Sequence, residues 1–398
     1  MTKKVVAKKR RVVKPRVTSP SHLDKPRAVG CHIYAGAFSR GMMDGGIDVI
    51  EHLEPKVYRG FGAESSRRNL GVEVLVATPD EWRAERFKGA CQFVFGNPPC
   101  AAYSNASHGR GGPWMDERRG HAFDVLRLLR EVKPRAWVLE SVPGILTKGG
   151  GVMGAIIEEA RELGYAVTMW KHDHRFLGLA QKRARVYVIC HDFDLQFPLA
   201  GRSVFDPDFR IKTVAEVLAD VPDPGDVQKV NPKMRKLVKM STSTRSPRRI
   251  WFEKFQDDPK IARPSFLTHR IPLNSPCGTI VNCSCIHPTE DRMLGHLEGA
   301  ALCGYPPDWD WGSGSLGGKW AEMCKASLPS GGRALAQVLI EGLRRDEPPR
   351  WVVAVVDQHA GRRVDESRNS VHVLESPTSS VRLTVDMVRG GVPGRIGG

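Results

Sequence analysis

The segment Ala28-Val29-Gly30-Cys31-His32-Ile33-Tyr34 is a short apolar run that leads directly into the small residues Ala35 and Gly36. It predicts a buried strand that ends in a tight turn. Similar apolar runs predict further strands at Val72–Ala77, Gln92–Phe95, Ala136–Leu139, Ala166–Trp170 and Arg185–Cys190. Between them, apolar residues recur at helical spacing in His121–Val132 and Val152–Leu163. Strands that alternate with helices predict an α/β fold whose parallel sheet is covered on both faces.

The length and composition set the broad class of the protein. With 398 residues, the chain can form a full α/β domain and a second, smaller unit. No apolar run reaches the ~18 residues that a membrane-spanning helix needs, and no apolar segment follows the basic N-terminus as in a secretory signal. The nine cysteines are scattered and odd in number, which favours free thiols in a reducing compartment. We therefore expect a cytoplasmic protein without a membrane segment.

The net charge of +16 indicates a polyanionic partner, because neutralised phosphates release counterions. A basic tail on a neutral protein is the alternative, since residues 1–27 contain ten Lys or Arg and a single acid. We interpret residues 1–27 as a disordered basic arm. Such an arm adds affinity for phosphates but does not read a base sequence.

The alternation of strands and helices stops near Leu199, and charges, prolines and Ser/Thr dominate from residue 200 to about 272. This change predicts a smaller inserted lobe at 200–272, between a main domain at 28–199 and its continuation at 273–345. Helical spacing returns at Glu298–Leu302 and Arg333–Leu343. The remaining residues, 346–398, read as a partly disordered C-terminal extension that contains one hairpin.

Cys100 lies directly after a predicted strand. Asn97-Pro98-Pro99-Cys100 directly follows the predicted strand Gln92–Phe95, at the strand end where open α/β sheets place their ligands. The paired prolines stiffen the turn and can direct the thiol outward. The alternative is that Cys100 is a buried, inert cysteine, which is the more common case in proteins.

Two further motifs place ionisable groups beside predicted strands. Glu140 follows four mainly apolar residues, where a carboxylate is costly without a partner or a task. In Gln181-Lys182-Arg183-Ala184-Arg185, extended geometry puts Gln181, Arg183 and Arg185 on one face. Three such donors suit phosphates or a nucleophile whose pKa must be lowered, although an ordinary exposed strand edge has the same pattern.

The order and spacing of these motifs resemble the DNA cytosine-C5 methyltransferase family over most of residues 28–345. The catalytic motifs that match are Asn97–Ser104 for the Pro-Cys nucleophile, Glu140-Ser141-Val142 for Glu-Asn-Val, and Gln181–Arg185 for Gln-x-Arg-x-Arg. Downstream, the matching segments are Ser275–Ile280, His287-Pro288, Arg292, Leu302–Pro306 and Leu328-Pro329. The resemblance implies a Rossmann-like, S-adenosyl-L-methionine-dependent domain with an inserted target-recognition lobe.

The resemblance also implies a mechanism. Cys100 adds to C6 of a flipped-out cytosine, Glu140 holds N3 and the exocyclic amine, and Arg183 and Arg185 favour the thiolate. The activated C5 then takes a methyl group from the cofactor. The segment from Ser104 to residue 119 resembles a mobile loop that closes over the base.

The resemblance assigns further residues to binding. The expected cofactor residues are Tyr34, Ala35, Gly36, Ala37, Phe38, Glu54 for the ribose, Asp80 near the adenine, Asn97, Lys325 and Ala326. The expected substrate residues are Pro99, Ser104, Ser107 and Gln181. The expected partner is double-stranded DNA, bound by a monomer without a metal ion.

The sequence departs from the family pattern mainly around the cofactor. Phe38 and Ser39 stand where the family has glycines, and Lys325-Ala326 replaces the Gly-Asn before the final Leu-Pro. Three interpretations stay open: an ordinary methyl donor, a carboxylated donor whose added anion pairs with Lys325, and a catalytically silent DNA-binding homologue.

The residues also permit a different target atom, a different nucleic acid and a metal site. Asn97-Pro98-Pro99 resembles the motif of amino-methyltransferases as well, but those enzymes need an aromatic residue where Cys100 stands. A tRNA substrate would share the C5 chemistry. The segment Cys283-x-Cys285-x-His287 contains residue types that bind zinc, but no second pair of ligands lies at a suitable spacing in the sequence.

Overall fold

The computed structural model describes residues 25–58, 62–104, 120–197, 210–265, 267–359 and 368–375. Most of the predicted basic arm, most of the predicted mobile loop and Ser107 lie outside these residues. Within them, no helix is long and apolar enough to cross a membrane.

A nine-stranded sheet forms the centre of the molecule, in the order β11-β10-β6-β7-β5-β4-β1-β2-β3. Its strands are β1 Arg27–Cys31, β2 Asp48–Pro55, β3 Glu73–Ala77, β4 Phe93–Gly96, β5 Ala136–Ser141, β6 Ala166–Asp173, β7 Ala184–His191, β10 Val353–His359 and β11 Arg368–Glu375. Two short strands, β8 His269–Arg270 and β9 Cys285–Ile286, pair in parallel elsewhere. The predicted α/β class is confirmed.

The sheet is mixed rather than wholly parallel, which corrects the sequence-based expectation. Strand β7 runs antiparallel to both neighbours, β5 and β6, and β11 runs antiparallel to β10. Only residues 174–183 separate β6 from β7. This connection is shorter than the dozen or so residues that a parallel crossover needs, so the chain reverses.

The helices are α1 Ala37–Asp44, α2 Ala63–Leu70, α3 Gly120–Val132, α4 Ile145–Lys148, α5 Gly150–Leu163, α6 Val214–Ala219, α7 Arg235–Met240, α8 Pro247–Lys254, α9 His296–Leu302, α10 Leu316–Lys325 and α11 Pro329–Arg345. Two apolar cores flank the sheet, and β5 contributes to both because its side chains alternate. Trp137 and Leu139 pack in one core with α3 and α5, whereas Val138 packs in the other with Phe38 of α1 and Leu335 of α11. Helices therefore cover both faces, as predicted.

The first strand is shorter than predicted, and β2 is absent from the predictions. β1 ends at Cys31 because His32 and Tyr34 adopt positive φ angles of 54° and 66°. In β2, His52 and Glu54 interrupt the apolar pattern, yet both are buried. Each has a partner: His52 Nε2 lies 2.7 Å from the Ser39 hydroxyl, and Glu54 accepts backbone hydrogen bonds.

Residues 210–265 form the short helices α6, α7 and α8. Side chains cap two of these helices, since Thr213 accepts from the backbone N–H of Glu216 and Ser246 from that of Arg249. A third apolar core lies between this region and the sheet domain and contains Cys277, Leu302 and Trp320.

The predicted C-terminal hairpin is present as β10 and β11. β10 also pairs in parallel with β6, with Val355 opposite Met169. Residues 353–359, predicted to belong to an extension, therefore complete the central sheet.

Candidate active site

The predicted catalytic residues converge because of the direction of the strands. β4 and β5 are parallel, so Cys100 and Glu140 lie at the same edge of the sheet. β7 is antiparallel to β5, so its first residues lie at the edge where β5 ends. Glu140 consequently faces Tyr187 across the pair, and Arg185 lies two residues before Tyr187.

Glu140 is buried and has several polar partners, among them the side chain of Ser327. Asn97 Nδ2 donates to Glu140 Oε2 at 2.5 Å, and Arg185 Nε lies 3.1 Å from Glu140 Oε1. Burial raises the pKa of the Glu140 carboxyl, while Arg185 and Arg183 act in the opposite direction. A carboxyl with a raised pKa can carry a proton and donate it in a hydrogen bond.

Asn97 connects this carboxyl to the end of the catalytic domain. Its Oδ1 accepts from the backbone N–H of Ser327 at 2.8 Å, while its Nδ2 binds Glu140. We expected Asn97 to bind the cofactor, but these two contacts make it a clamp between β5 and the loop that precedes α11. Ser327 was not predicted as a site residue, although it directly precedes the recognised Leu328-Pro329.

Cys100 lies in the turn between β4 and a short 3₁₀ helix, Ala101–Tyr103, and is partly exposed. A Cβ at Gly144 would overlap the carbonyl oxygen of Tyr103, so this glycine lets the turn after β5 pack against the turn after Cys100. Pro99 and Ser104, predicted to contact substrate, are also partly exposed and flank Cys100.

The pKa of the Cys100 thiol is raised, which corrects the expectation of a lowered value. Burial is the largest cause. Arg185 and Arg183 do lower the pKa of this thiol, as expected, but burial and the nearby Glu140 carboxylate outweigh them. In this conformation the thiol keeps its proton more strongly than a free cysteine.

Arg183 and Gln181 point into the protein interior. The Arg183 guanidinium donates to the backbone carbonyls of Ile280, Cys324 and Ala326, each at 3.3 Å. Gln181 was predicted to bind substrate, but it is fully buried, donates to the carbonyl of Leu302 and accepts from the N–H of Ile280. Both side chains therefore fix the start of β7 against neighbouring segments, and the charge of Arg183 lowers the pKa of the Cys100 thiol.

Glu54 at the end of β2 lies beside the loop that follows β1. Its Oε1 accepts from the backbone N–H groups of Ile33 at 2.6 Å and Tyr34 at 3.0 Å. Its Oε2 is buried and has no hydrogen-bond partner among the described residues. Burial raises the pKa of Glu54 to about 7, although the two backbone hydrogen bonds lower it. A buried carboxylate oxygen in this state calls for a hydroxyl donor.

Two glycines with positive φ bring the surrounding backbone close together. Gly36 has a φ of 92° and Gly62 a φ of 90°. A Cβ at Gly62 would lie 2.5 Å from the carbonyl oxygen of Tyr34. The loop after β1 and the start of α2 therefore approach each other as only glycine permits.

Several predicted cofactor residues are core residues instead. Phe38 is fully buried, stacks on Tyr187 with ring centroids 5.7 Å apart, and packs edge-on against Phe95 at 5.0 Å. Its side chain therefore faces the sheet, and the expected cofactor contact of Phe38 stays a prediction. Ala35 and Ala37 are also fully buried.

The remaining predicted cofactor residues differ in exposure. Asp80 is exposed and pairs with Arg127 at 2.6 Å. Lys325 is exposed, and its Nζ lies 5.8 Å from the centroid of the Tyr34 ring. Ala326 is buried, and its carbonyl binds Arg183. Lys325 thus lies next to Tyr34, whose backbone N–H binds Glu54.

Solved structures with this fold include methyltransferases. The chain aligns with the S. pombe Dnmt2 methyltransferase with a TM-score of 0.55 and 13% identity, covering 81% of this chain and 99% of that one. It aligns with the Entamoeba histolytica methyltransferase EhMeth with a TM-score of 0.53 and 14% identity, covering 81% and 99%. The architecture is therefore that of a Rossmann-like methyltransferase.

The sequence comparisons define the family. The model of the C-5 cytosine-specific DNA methylase family matches residues 77–329, and the chain belongs to this family. It is 30% identical to the Type II methyltransferase M.NgoPII of Neisseria gonorrhoeae over 224 residues, which cover 54% of this chain and 64% of that protein. It is 26% identical to M.PspPI of Psychrobacter sp. (strain TA137) over 331 residues, covering 78% and 77%. With M.BsuFI of Bacillus subtilis it shares 36% identity over 98 residues, which span only 24% of each protein.

Proposed function

We propose that this protein is a DNA cytosine-C5 methyltransferase that attacks C6 of a flipped-out cytosine with Cys100. The observation that carries the proposal is the cluster of Glu140, Asn97 and Arg185 at the strand edge where Cys100 also lies. A binding module would not need a buried carboxyl paired with an arginine beside a partly exposed cysteine.

Glu140 would recognise and activate the base. Because burial raises the pKa of its carboxyl, Glu140 can take up a proton as the base binds and donate it to N3. Charge builds on the ring as the thiolate adds, and the proton on Glu140 stabilises it at N3. Asn97 and Arg185 hold the carboxyl in place during this step.

Cys100 would be activated only when the substrate is in place. The raised pKa keeps the thiol protonated at rest, while the charges of Arg185 and Arg183 stabilise the thiolate once it forms. The thiol proton would pass to solvent as the new S–C6 bond forms. This bond makes C5 nucleophilic, and C5 would take the methyl group while the donor sulfur leaves as a neutral thioether. Transfer of the C5 proton to water and expulsion of the Cys100 thiolate would then restore the aromatic ring.

The proposed cofactor is S-adenosyl-L-methionine, which supplies an electrophilic methyl group when bound. Glu54 fits such a cofactor because its buried Oε2 can accept from a ribose hydroxyl. Tyr34 and Gly36 belong to the loop that Glu54 fixes through the N–H groups of Ile33 and Tyr34.

A carboxylated donor is the second candidate, and the position of Lys325 is the observation that favours it. The exposed Lys325 ammonium lies 5.8 Å from the Tyr34 ring, on the same side of the edge as Glu54. An added carboxylate could pair with this ammonium. Competition between the two donors in one reaction separates the candidates, since an ordinary enzyme incorporates only the methyl group.

The proposed substrate is double-stranded DNA bound by a monomer, with residues 200–272 as the target-recognition lobe. The net charge of +16 supports a polyanion. Named relatives include bacterial Type II methyltransferases and the orphan methyltransferase M.Rho11sI of Bacillus phage rho11s. We therefore propose a modification enzyme acting in a bacterial or phage-infected cytoplasm.

Product analysis tests the proposal. Purified protein is incubated with duplex DNA or tRNA and labelled S-adenosyl-L-methionine, and the nucleosides are identified by mass spectrometry. We expect 5-methylcytosine in DNA, none with Cys100→Ser, and a covalent complex with DNA containing 5-fluorocytosine. A product methylated on an exocyclic nitrogen, or turnover by Cys100→Ser, would overturn the mechanism.

A further inference from the structure

Two histidines and an aspartate meet outside the cluster that surrounds Cys100. His32 follows β1, whereas His121 and Asp124 lie in the first turns of α3. His32 Nε2 lies 3.3 Å from Asp124 Oδ2, and His121 Nδ1 lies 3.2 Å from the same oxygen. The three candidate ligand atoms all lie within 4.8 Å of one another.

The two distances from Asp124 Oδ2 to the imidazole nitrogens match the spacing of neighbouring ligands around a transition-metal ion. Zinc binds imidazole nitrogen and carboxylate oxygen at ~2.0–2.2 Å, which places neighbouring tetrahedral ligands about 3.3 Å apart. Two histidines and one carboxylate form a common three-ligand set, with a fourth position left for water or another ligand.

The local environment prepares the three side chains for this role. The His32 side chain is almost fully buried, and its Nε2 faces the Asp124 carboxylate. The ring of Trp82 packs edge-on against His32, with centroids 5.9 Å apart, and closes one side of the cluster.

The backbone at His32 supports a specific requirement for this side chain. His32 has a φ of 54°, a left-handed conformation that costs energy in a residue other than glycine. Such strain persists only where the surroundings fix the conformation. Here it directs the imidazole toward Asp124 on α3.

We propose that His32, His121 and Asp124 bind a divalent transition-metal ion of the zinc class. The ion would join the loop after β1 to the first turns of α3. This inference differs from the expectation of no metal because residues far apart in the sequence supply the ligands. It does not depend on the proposed methyl transfer.

Titration of the full-length protein tests the site. After removal of metal with EDTA, the protein is titrated with Zn²⁺ by calorimetry and with Co²⁺ by absorption spectroscopy. We expect one equivalent to bind, with a Co²⁺ spectrum of nitrogen and oxygen ligands and no thiolate charge-transfer band. No uptake, or a spectrum dominated by thiolate, would overturn the proposal even without a variant.

Two variants separate metal binding from simple hydrogen bonding. His121→Ala removes one ligand, and Asp124→Asn keeps a side chain that can hydrogen-bond to both imidazoles but is a weaker ligand. We expect each to weaken Zn²⁺ binding at least ~10-fold and to abolish the rise in Tm that Zn²⁺ causes in the wild type. His296→Ala is the matched control, because His296 also lies near a carboxylate, Asp226, and should leave binding unchanged. Equal Zn²⁺ affinity in the wild type and in both cluster variants would rule the site out.

Discussion

Asn97 donates a hydrogen bond of 2.5 Å to Glu140, and its own side-chain oxygen accepts from the backbone of Ser327. One amide thus holds the buried carboxyl between the nucleophile turn and the segment before α11. The sheet brings Asn97 and Glu140 together, because the parallel strands β4 and β5 end at the same edge of the sheet. The clamp makes the orientation of Glu140 depend on a residue that does not itself need to touch the base.

Loss of this clamp should slow the chemical step. A hydrogen bond to a charged group contributes about 1.5–3 kcal/mol, so Asn97→Ala should lower the single-turnover rate about 10- to 100-fold. Asn97→Asp should be worse, because a second carboxylate would face Glu140. Unchanged single-turnover rates in a variant with native Tm would show that Asn97 does not position Glu140.

Arg185 should set the pH dependence of Cys100. Its charge lowers the pKa of the thiol and pairs with Glu140. Arg185→Ala should therefore shift the pH midpoint of Cys100 alkylation by iodoacetamide to higher pH. Lys182→Ala, at an exposed position near the start of the same strand, is the control and should leave the midpoint in place. A shift of equal size in both variants would contradict a specific role for Arg185.

Cofactor binding should strengthen as the pH rises toward neutrality. Glu54 has a pKa of about 7 in the folded protein, raised by burial. A ribose hydroxyl donates best to the ionised carboxylate, so binding releases a proton. The affinity for S-adenosyl-L-methionine should rise by up to about tenfold per pH unit below ~7 and level off above it. Calorimetry from pH 5.5 to about 8.5 measures this. Glu54→Gln should bind S-adenosyl-L-methionine weakly, and its affinity should no longer depend on pH. If the affinity of this variant still depends on pH, an ionisable group other than Glu54 is responsible.

Gly62 should be less tolerant of a side chain than Gly71. Both have positive φ, 90° and 65°, but a Cβ at Gly62 would lie 2.5 Å from the Tyr34 carbonyl oxygen, whereas one at Gly71 would have open space. Gly71→Ala should cost about 1 kcal/mol of unfolding free energy, and Gly62→Ala about 1–3 kcal/mol more. Urea denaturation of both variants provides the comparison, and equal losses would mean that the close approach is not rigid.

Phe38 should affect stability much more than cofactor affinity. Its ring is fully buried against Phe95 and Tyr187. Phe38→Ala should cost about 3–5 kcal/mol of unfolding free energy. Phe38→Leu should retain most of the core and near-native cofactor affinity. A large loss of affinity in a stable Phe38→Leu protein would restore the direct contact inferred from the sequence.

The sequence by itself determined the alternation of strands and helices and the positions of Cys100 and Glu140 at strand ends. Both follow from local patterns, since apolar periodicity and turn residues depend on neighbours along the chain. It also indicated that Gln181, Arg183 and Arg185 share a face. The alternation of burial agrees, since Gln181 and Arg183 are buried whereas Lys182 and Ala184 are exposed.

Only the tertiary structure decided what these side chains contact. The reversal of β7 brings Arg185 to Glu140, whereas Arg183 and Gln181 enter the protein interior. The direction of the pKa shift of Cys100 also needed the structure. The family resemblance implied that Arg183 and Arg185 lower the pKa of the thiol, but burial outweighs both arginines. In the cluster of His32, His121 and Asp124, only the i,i+3 spacing of His121 and Asp124 is local, and the approach of His32 is not. Contacts between distant residues depend on packing and on the exclusion of water, which no short stretch of sequence encodes.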